Sequence, residues 1–141
     1  MTAGLHSWTA QQRVRHGTPV AEALPPELAT AQRVVLVTTR SLANSRLLAA
    51  AKDAVGAKLA ATFGAMRAHS PVEDVVALAA LLGETRADLV VAVGGGSVID
   101  GSKVACVATW RGLAGADAIK GLAVPRANEP KGWDGAARRG P

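Results

Sequence analysis

Leu89-Val90-Val91-Ala92-Val93 runs directly into Gly94-Gly95-Gly96-Ser97-Val98-Ile99-Asp100-Gly101-Ser102-Lys103, and this junction decides how the chain is read. Five consecutive apolar residues, three of them valine, suit a strand covered on both faces of a parallel sheet. From Ser97 to about Trp110 the apolar positions recur at helical spacing. Three glycines between a buried strand and a helix leave no Cβ in the approach to the first helical amides, where the positive dipole end attracts an anion. Pyrophosphate is the natural guest of such a turn. A tight strand-to-helix connection is the plainer alternative, and Ser97-x-x-Asp100 also reads as a capping box that the helix would use with or without a ligand.

Working outward, the same strand-then-helix alternation repeats. Arg33 to Thr38 (RVVLVT) is another continuous apolar run and belongs at the centre of the sheet. Leu47, Leu48, Ala51 and Val55 share one face of a helix from about Asn44 to Val55. A short strand is expected over Leu59–Phe63. Ser70-Pro71-Val72-Glu73 reads as a capping box with proline at the first helical position, ahead of Val72, Val75, Val76, Ala79 and Leu82 at helical spacing. Arg13 to Gly17 reads as a first strand, followed by Thr18-Pro19 as the start of a helix that Pro25-Pro26 interrupts. The expected order is β-α-β-α-β-α-β-α, an open parallel sheet with helices on both faces. Residues 1–113 form one α/β domain in this reading. Residues 114–141, rich in Gly, Pro, Ala and Arg without sustained periodicity, are expected to be irregular.

Composition narrows the function classes. The 141 residues are 49% hydrophobic and 19% charged, too apolar for a disordered chain, yet no apolar run is long enough for a bilayer. The start lacks the basic and apolar regions of a secretory signal, which makes the cytoplasm the expected compartment. A single cysteine, Cys106, and three scattered histidines, His6, His16 and His69, offer no metal-ligand spacing. Cys106 is expected as a small buried thiol and Trp110 as a packed helix end. The net charge of +5 is spread along the chain with only four large aromatic side chains to stack on bases, so nucleic acid is not an expected partner.

In an open parallel sheet ligands sit beyond the carboxyl ends of the strands. The loops there are Thr38-Thr39-Arg40-Ser41, the segment Gly64 to Ser70, and the glycine-rich turn. That turn fits neither GxGxxG, since Ile99 stands five residues after Gly94, nor the P-loop, since Gly101 is followed by Ser102 and only then Lys103.

The string VGGGSVIDGSK, with its preceding strand, resembles the GGGSxxD cofactor loop of the iron-containing alcohol dehydrogenase family, which includes maleylacetate reductases. RVRHGTPVAEAL, VVLVTTRSL and FGAMRAHSPVEDV resemble further segments of that family, so the likeness runs from about Arg13 to about Arg111. The resemblance implies a Rossmann-like nucleotide-binding domain of an oxidoreductase that moves hydride between NAD or NADP and an alcohol, aldehyde, ketone or oxo-acid. It implies that Gly95, Gly96 and Ser97 hold the pyrophosphate, with Gly94 beside them also a candidate cofactor contact, and that Asp100 approaches the nicotinamide ribose. Thr38, Thr39, Arg40 and Ser70 are the remaining candidate cofactor contacts.

Two departures from the family pattern bear on function. Thr39 stands where many members carry Asp for the adenosine ribose, and Arg40 beside it is able to pair with a 2′-phosphate, which leaves NAD and NADP both open. The family's iron or zinc ligands lie in a helical C-terminal domain that this sequence does not show, and the Thr-Thr segment that closes over the nicotinamide is not recognisable. The chain is therefore expected to be truncated and inactive alone, and to form homo-oligomers or otherwise self-associate through surface left uncovered. A stand-alone dinucleotide-binding module without catalysis is the alternative.

Overall fold

A computed structural model describes residues 4–8 and 11–122, with side chains placed from residue 13 onward. Its centre is a three-stranded parallel sheet in the order β4-β3-β5, built from β3 (Val34–Val37), β4 (Leu59–Phe63) and β5 (Leu89–Ala92). β3 is central, as its unbroken apolar character requires, and all four of its residues are fully buried. Successive side chains alternate between faces. Val35 and Val37 enter the core under one layer of helices, while Val34 and Leu36 enter the core on the other. Each such side chain contributes about 1.5–3 kcal/mol by leaving water, which makes this four-residue strand the most stabilising short segment of the sheet.

The helix α3 (Val72–Thr85) and the helix α4 (Gly96–Trp110) cover the first face, where Val75, Leu78, Ala79, Leu82, Val98, Ala105 and Ala108 pack with Met66. The helix α2 (Arg46–Val55) covers the second face through Leu48, Ala51 and Val55. Leu47, expected on that same face, is exposed. Ser45 caps α2 by accepting the Leu48 amide at 3.1 Å. The Asp88 carboxylate accepts the Gln32 and Arg33 amides at 2.8 and 3.0 Å, tying the start of β5 to the start of β3. Those two backbone donors hold its carboxyl below the usual range. The result is a Rossmann-like α/β fold with helices on both faces of a parallel sheet.

Several expectations are corrected. The segment around Arg13 is β2 (Gln11–His16), but it pairs antiparallel with β1 (Gly4–Trp8) rather than joining the parallel sheet. Arg13 and Arg15 hold it to Glu27 at 2.7 and 3.3 Å. The long helix expected after Thr18-Pro19 shrinks to α1 (Val20–Ala23) and a 3-10 turn at Pro25–Leu28, because Pro25-Pro26 cannot continue an α-helix. The stretch expected to be irregular beyond residue 113 contains a helix, α5 (Ala116–Lys120), which buries Ile119 against the core beside α3. A single large apolar residue in a short helix leaves no periodic trace. The rest of that stretch, 123–141, lies outside the described residues. Cys106 is exposed rather than buried, and surrounding helix desolvates its thiol enough to push it up, away from a thiolate. Trp110 is 70% exposed rather than packed.

Candidate functional site

The carboxyl ends of the three strands open onto a cleft of about 450 Å³, lined by Thr39, Arg40 and Ser41 after β3, by residues 65–68 after β4, and by residues 95–98 after β5. The ladder continues past the strands to shape it. Thr38 donates its amide to the Phe63 carbonyl at 2.8 Å, Met66 donates to the Thr38 carbonyl at 3.1 Å, and Val93 donates to the Val37 carbonyl at 2.8 Å.

The glycine wall separates into two kinds of glycine. A Cβ at Gly94 would stand 2.7 Å from Val98 Cγ2, so the turn itself requires glycine there. A Cβ at Gly95 or Gly96 would meet nothing within 4 Å, so the fold does not require glycine at either. Bare backbone facing an open cleft is the cradle that a phosphate needs. No side chain caps α4, and the Gly95 carbonyl accepts the Val98 and Ile99 amides at 3.1 and 3.2 Å. The Gly96 and Ser97 amides belong to the first turn of α4, where helical amides have no partner within the helix.

The opposite wall is built from side chains. Met66 is buried beneath α4, where Gly101 makes room: a Cβ there would meet Met66 Cε at 2.7 Å and Ser70 Cβ at 3.3 Å. Asp74 receives the Arg67 amide at 2.9 Å and the Arg67 side chain at Nε and Nη2, with a shortest contact of 2.8 Å. The guanidinium hydrogen bonds hold the Asp74 carboxyl below the usual range and push Arg67 further up. His69 and Ser70 both adopt positive φ, 62° and 48°, which costs of order 1 kcal/mol or more for each non-glycine residue. Two bonds to one residue of the glycine turn hold that strain. The His69 amide donates to Ser97 Oγ at 2.9 Å, and Ser70 Oγ donates to the Ser97 carbonyl at 2.6 Å.

The structure therefore brings Thr39, Arg40, Gly95, Gly96 and Ser97 to one cleft and divides the other candidates. Ser70 and Asp100 line a neighbouring opening of about 530 Å³ that shares Gly96 and Ser97 and is also lined by Ile119 and Lys120 of α5. Thr38 is corrected: it is fully buried and donates its hydroxyl to the Val93 carbonyl at 2.8 Å, strapping β3 to β5 instead of reaching a ligand. Ser70 is not the α3 cap, because Pro71 takes that position and the Ser70 side chain turns to Ser97. Ser97 and Asp100 do not form a capping box either. Ser97 lies inside the first turn with its hydroxyl taken by His69, while Asp100 is exposed, 4.0 Å from Lys103 Nζ. Sequence reading missed Arg67, Asp74 and His69. The Arg67–Asp74 spacing across a loop and a helix start follows no local rule, although two acidic residues early in α3 mark that end as a place for a cationic partner.

Among the described residues no three of His, Cys, Asp and Glu come together to hold a metal ion. No helix among them is long and apolar enough to cross a membrane.

Comparison with known proteins agrees with the geometry. Residues 11–131 match the iron-containing alcohol dehydrogenase family, a likeness that extends beyond Arg111 into the stretch where sequence reading ended it. Dehydrogenase FUM7 of Gibberella moniliformis is 39% identical over 74 residues, which are 52% of this chain and 18% of that protein. The match thus spans less than a fifth of that relative's length. No solved structure matches the chain. A glycine-rich turn after β5, which is a half-buried edge strand rather than the fully covered one expected, and a family match over most of the length place the chain in the iron-containing alcohol dehydrogenase family.

Proposed function

We propose that these residues form the dinucleotide-binding part of an oxidoreductase that transfers hydride between NAD or NADP and an alcohol or carbonyl compound. The observation that carries this reading is the pair Gly95 and Gly96, glycines that the fold does not need, beside two amides that no side chain caps. The Gly96 and Ser97 amides would hold the pyrophosphate, aided by the dipole of α4. Thr39 and Arg40 would meet the adenosine end, and Ser70 and Asp100, on the far side of Ser97, the nicotinamide ribose. When bound, the dinucleotide supplies the hydride acceptor or donor. The residues of this chain bind and orient it, and the Ser97 latch to His69 and Ser70 keeps the two walls at a fixed separation.

Hydride transfer to a carbonyl also needs an acid at the oxygen, a role a metal fills well. In the resemblance that metal sits in a helical domain outside the residues matched here. These residues are accordingly proposed to bind dinucleotide and to leave that acid to groups outside them, and to self-associate through Ile99 and Trp110 of α4, which stand 40% and 70% exposed. Titration with NADH and NADPH, followed by aldehyde-reduction assays with added Fe²⁺ or Zn²⁺, tests this reading. Saturable binding without turnover is expected. Absence of binding overturns the dinucleotide reading, and metal-dependent turnover by these residues alone overturns the assignment of the acid to groups outside them.

A further inference from the structure

Resting on the dinucleotide reading above, we infer that the cleft selects the 2′-phosphorylated cofactor, NADP(H) over NAD(H), and that Arg67 together with Arg40 grips the 2′-phosphate. The cleft carries two separate sources of positive potential. One is the start of α4, with its uncapped Gly96 and Ser97 amides. The other is a pair of guanidiniums, Arg40 from the 3-10 turn after β3 and Arg67 from the loop after β4. No carboxylate is among the residues lining the cleft; the carboxylates that pair with Arg67 Nη2, Asp74 at 2.8 Å and Glu73 at 3.7 Å, stand outside that lining. A pyrophosphate satisfies the first source alone. A second anion on the same ligand is what matches the second source, and a 2′-phosphate on the adenosine ribose is that anion.

Arg67 is prepared for this task. Asp74, whose side chain is 13% exposed, holds the Arg67 amide, Nε and Nη2 together, whereas the Arg67 side chain is 60% exposed. Among the described residues Nη1 is uncommitted. The guanidinium is thus oriented from behind, with much of its rotamer entropy already lost before a ligand arrives. Arg40 lines the same cleft as Arg67 and adds a minor favourable field at the Asp74 carboxyl. Thr39 Oγ1 and Ser41 Oγ, hydrogen-bonded to each other at 2.8 Å, line the same cleft and bring hydroxyls rather than negative charge to it. Asp74 acts through Arg67 and is a positioning residue.

The test is titration of the 141-residue chain with NADPH and NADH, with adenosine 2′,5′-bisphosphate and AMP as competitors. NADPH is expected to bind at least about tenfold tighter than NADH, the scale of one charge-assisted phosphate contact. Its affinity should also fall more steeply with salt. The 2′,5′-bisphosphate should compete better than AMP. Arg67→Ala should remove most of the preference by weakening NADPH while NADH stays within about twofold, and Arg67→Lys should retain part of it. Asp74→Asn, which keeps both cations but releases the clamp, should reduce the preference less than Arg67→Ala. Arg67 is a surface side chain, so folding should survive these changes, and Arg40→Ala gives an independent check of the same preference. Equal or tighter NADH binding overturns the inference while leaving the dinucleotide reading intact. Equal loss of both dinucleotides in Arg67→Ala also overturns it, because it puts the guanidinium on the pyrophosphate. Binding of neither overturns both.

Discussion

The two walls of the cleft are made of different materials. The wall after β5 is backbone: Gly94 turns the chain under Val98, and Gly95 and Gly96 present bare amides. The wall after β4 is side chain: Arg67 clamped by Asp74, Met66 sunk under α4, and His69 and Ser70 strained and latched to Ser97. A backbone wall recognises charge at a fixed place and tolerates little change. A wall of side chains is adjustable, and it is where selectivity between similar ligands is set.

The comparison is broken most directly at Gly94. Gly94→Ala puts a methyl 2.7 Å from Val98 Cγ2, and overpacking of this kind costs about 1–3 kcal/mol. A lower urea midpoint with loss of dinucleotide binding is expected, and wild-type stability would remove the case for a backbone-built wall. A smaller effect is expected at the latch. Ser97→Ala leaves the His69 amide without its acceptor while sparing the Ser70 bond to the Ser97 carbonyl, at about 1 kcal/mol. Hydrogen exchange at His69 should accelerate. Unchanged exchange would mean that the strained pair is held by something other than Ser97.

The smallest effect concerns acid. Asp74 and Asp88 both have carboxyls held below the ordinary value of 3.8, by Arg67 and by the Arg33 and Gln32 amides respectively. A depressed folded-state pKa contributes stability that is present above the unfolded value and is lost as pH falls through the folded one. Stability should therefore decline below about pH 4, with a shallower decline in Asp74→Asn. An identical acid profile in that variant would show that the Arg67 clamp contributes nothing to folding.

What was readable in the sequence follows the same division. β3, β4, α3 and the glycine turn were legible because each is dictated locally, by an unbroken apolar run, by helical spacing or by consecutive glycines. The β4–α3 loop was not. Ser70 obeys the sequence rule for a cap, yet α3 takes Pro71 as its cap residue and the Ser70 hydroxyl donates to a tertiary partner, the Ser97 carbonyl. Thr38 sits where a ligand contact is expected, but the twist of the loop turns its hydroxyl back to Val93. The hairpin of β1 and β2 was hidden because alternation alone does not say which partner a strand takes. α5 was hidden because one residue, Ile119, carries its burial.

The central claim is that the bare backbone at Gly95 and Gly96 is there for a phosphate. Calorimetric titration of NADPH into the wild-type chain and into Gly95→Leu tests it, since the added side chain enters open space and should leave the unfolding midpoint unchanged. The expected result is saturable binding to the wild type that is lost in the variant. Binding that survives Gly95→Leu undiminished, or that is absent from the wild type, would contradict the account.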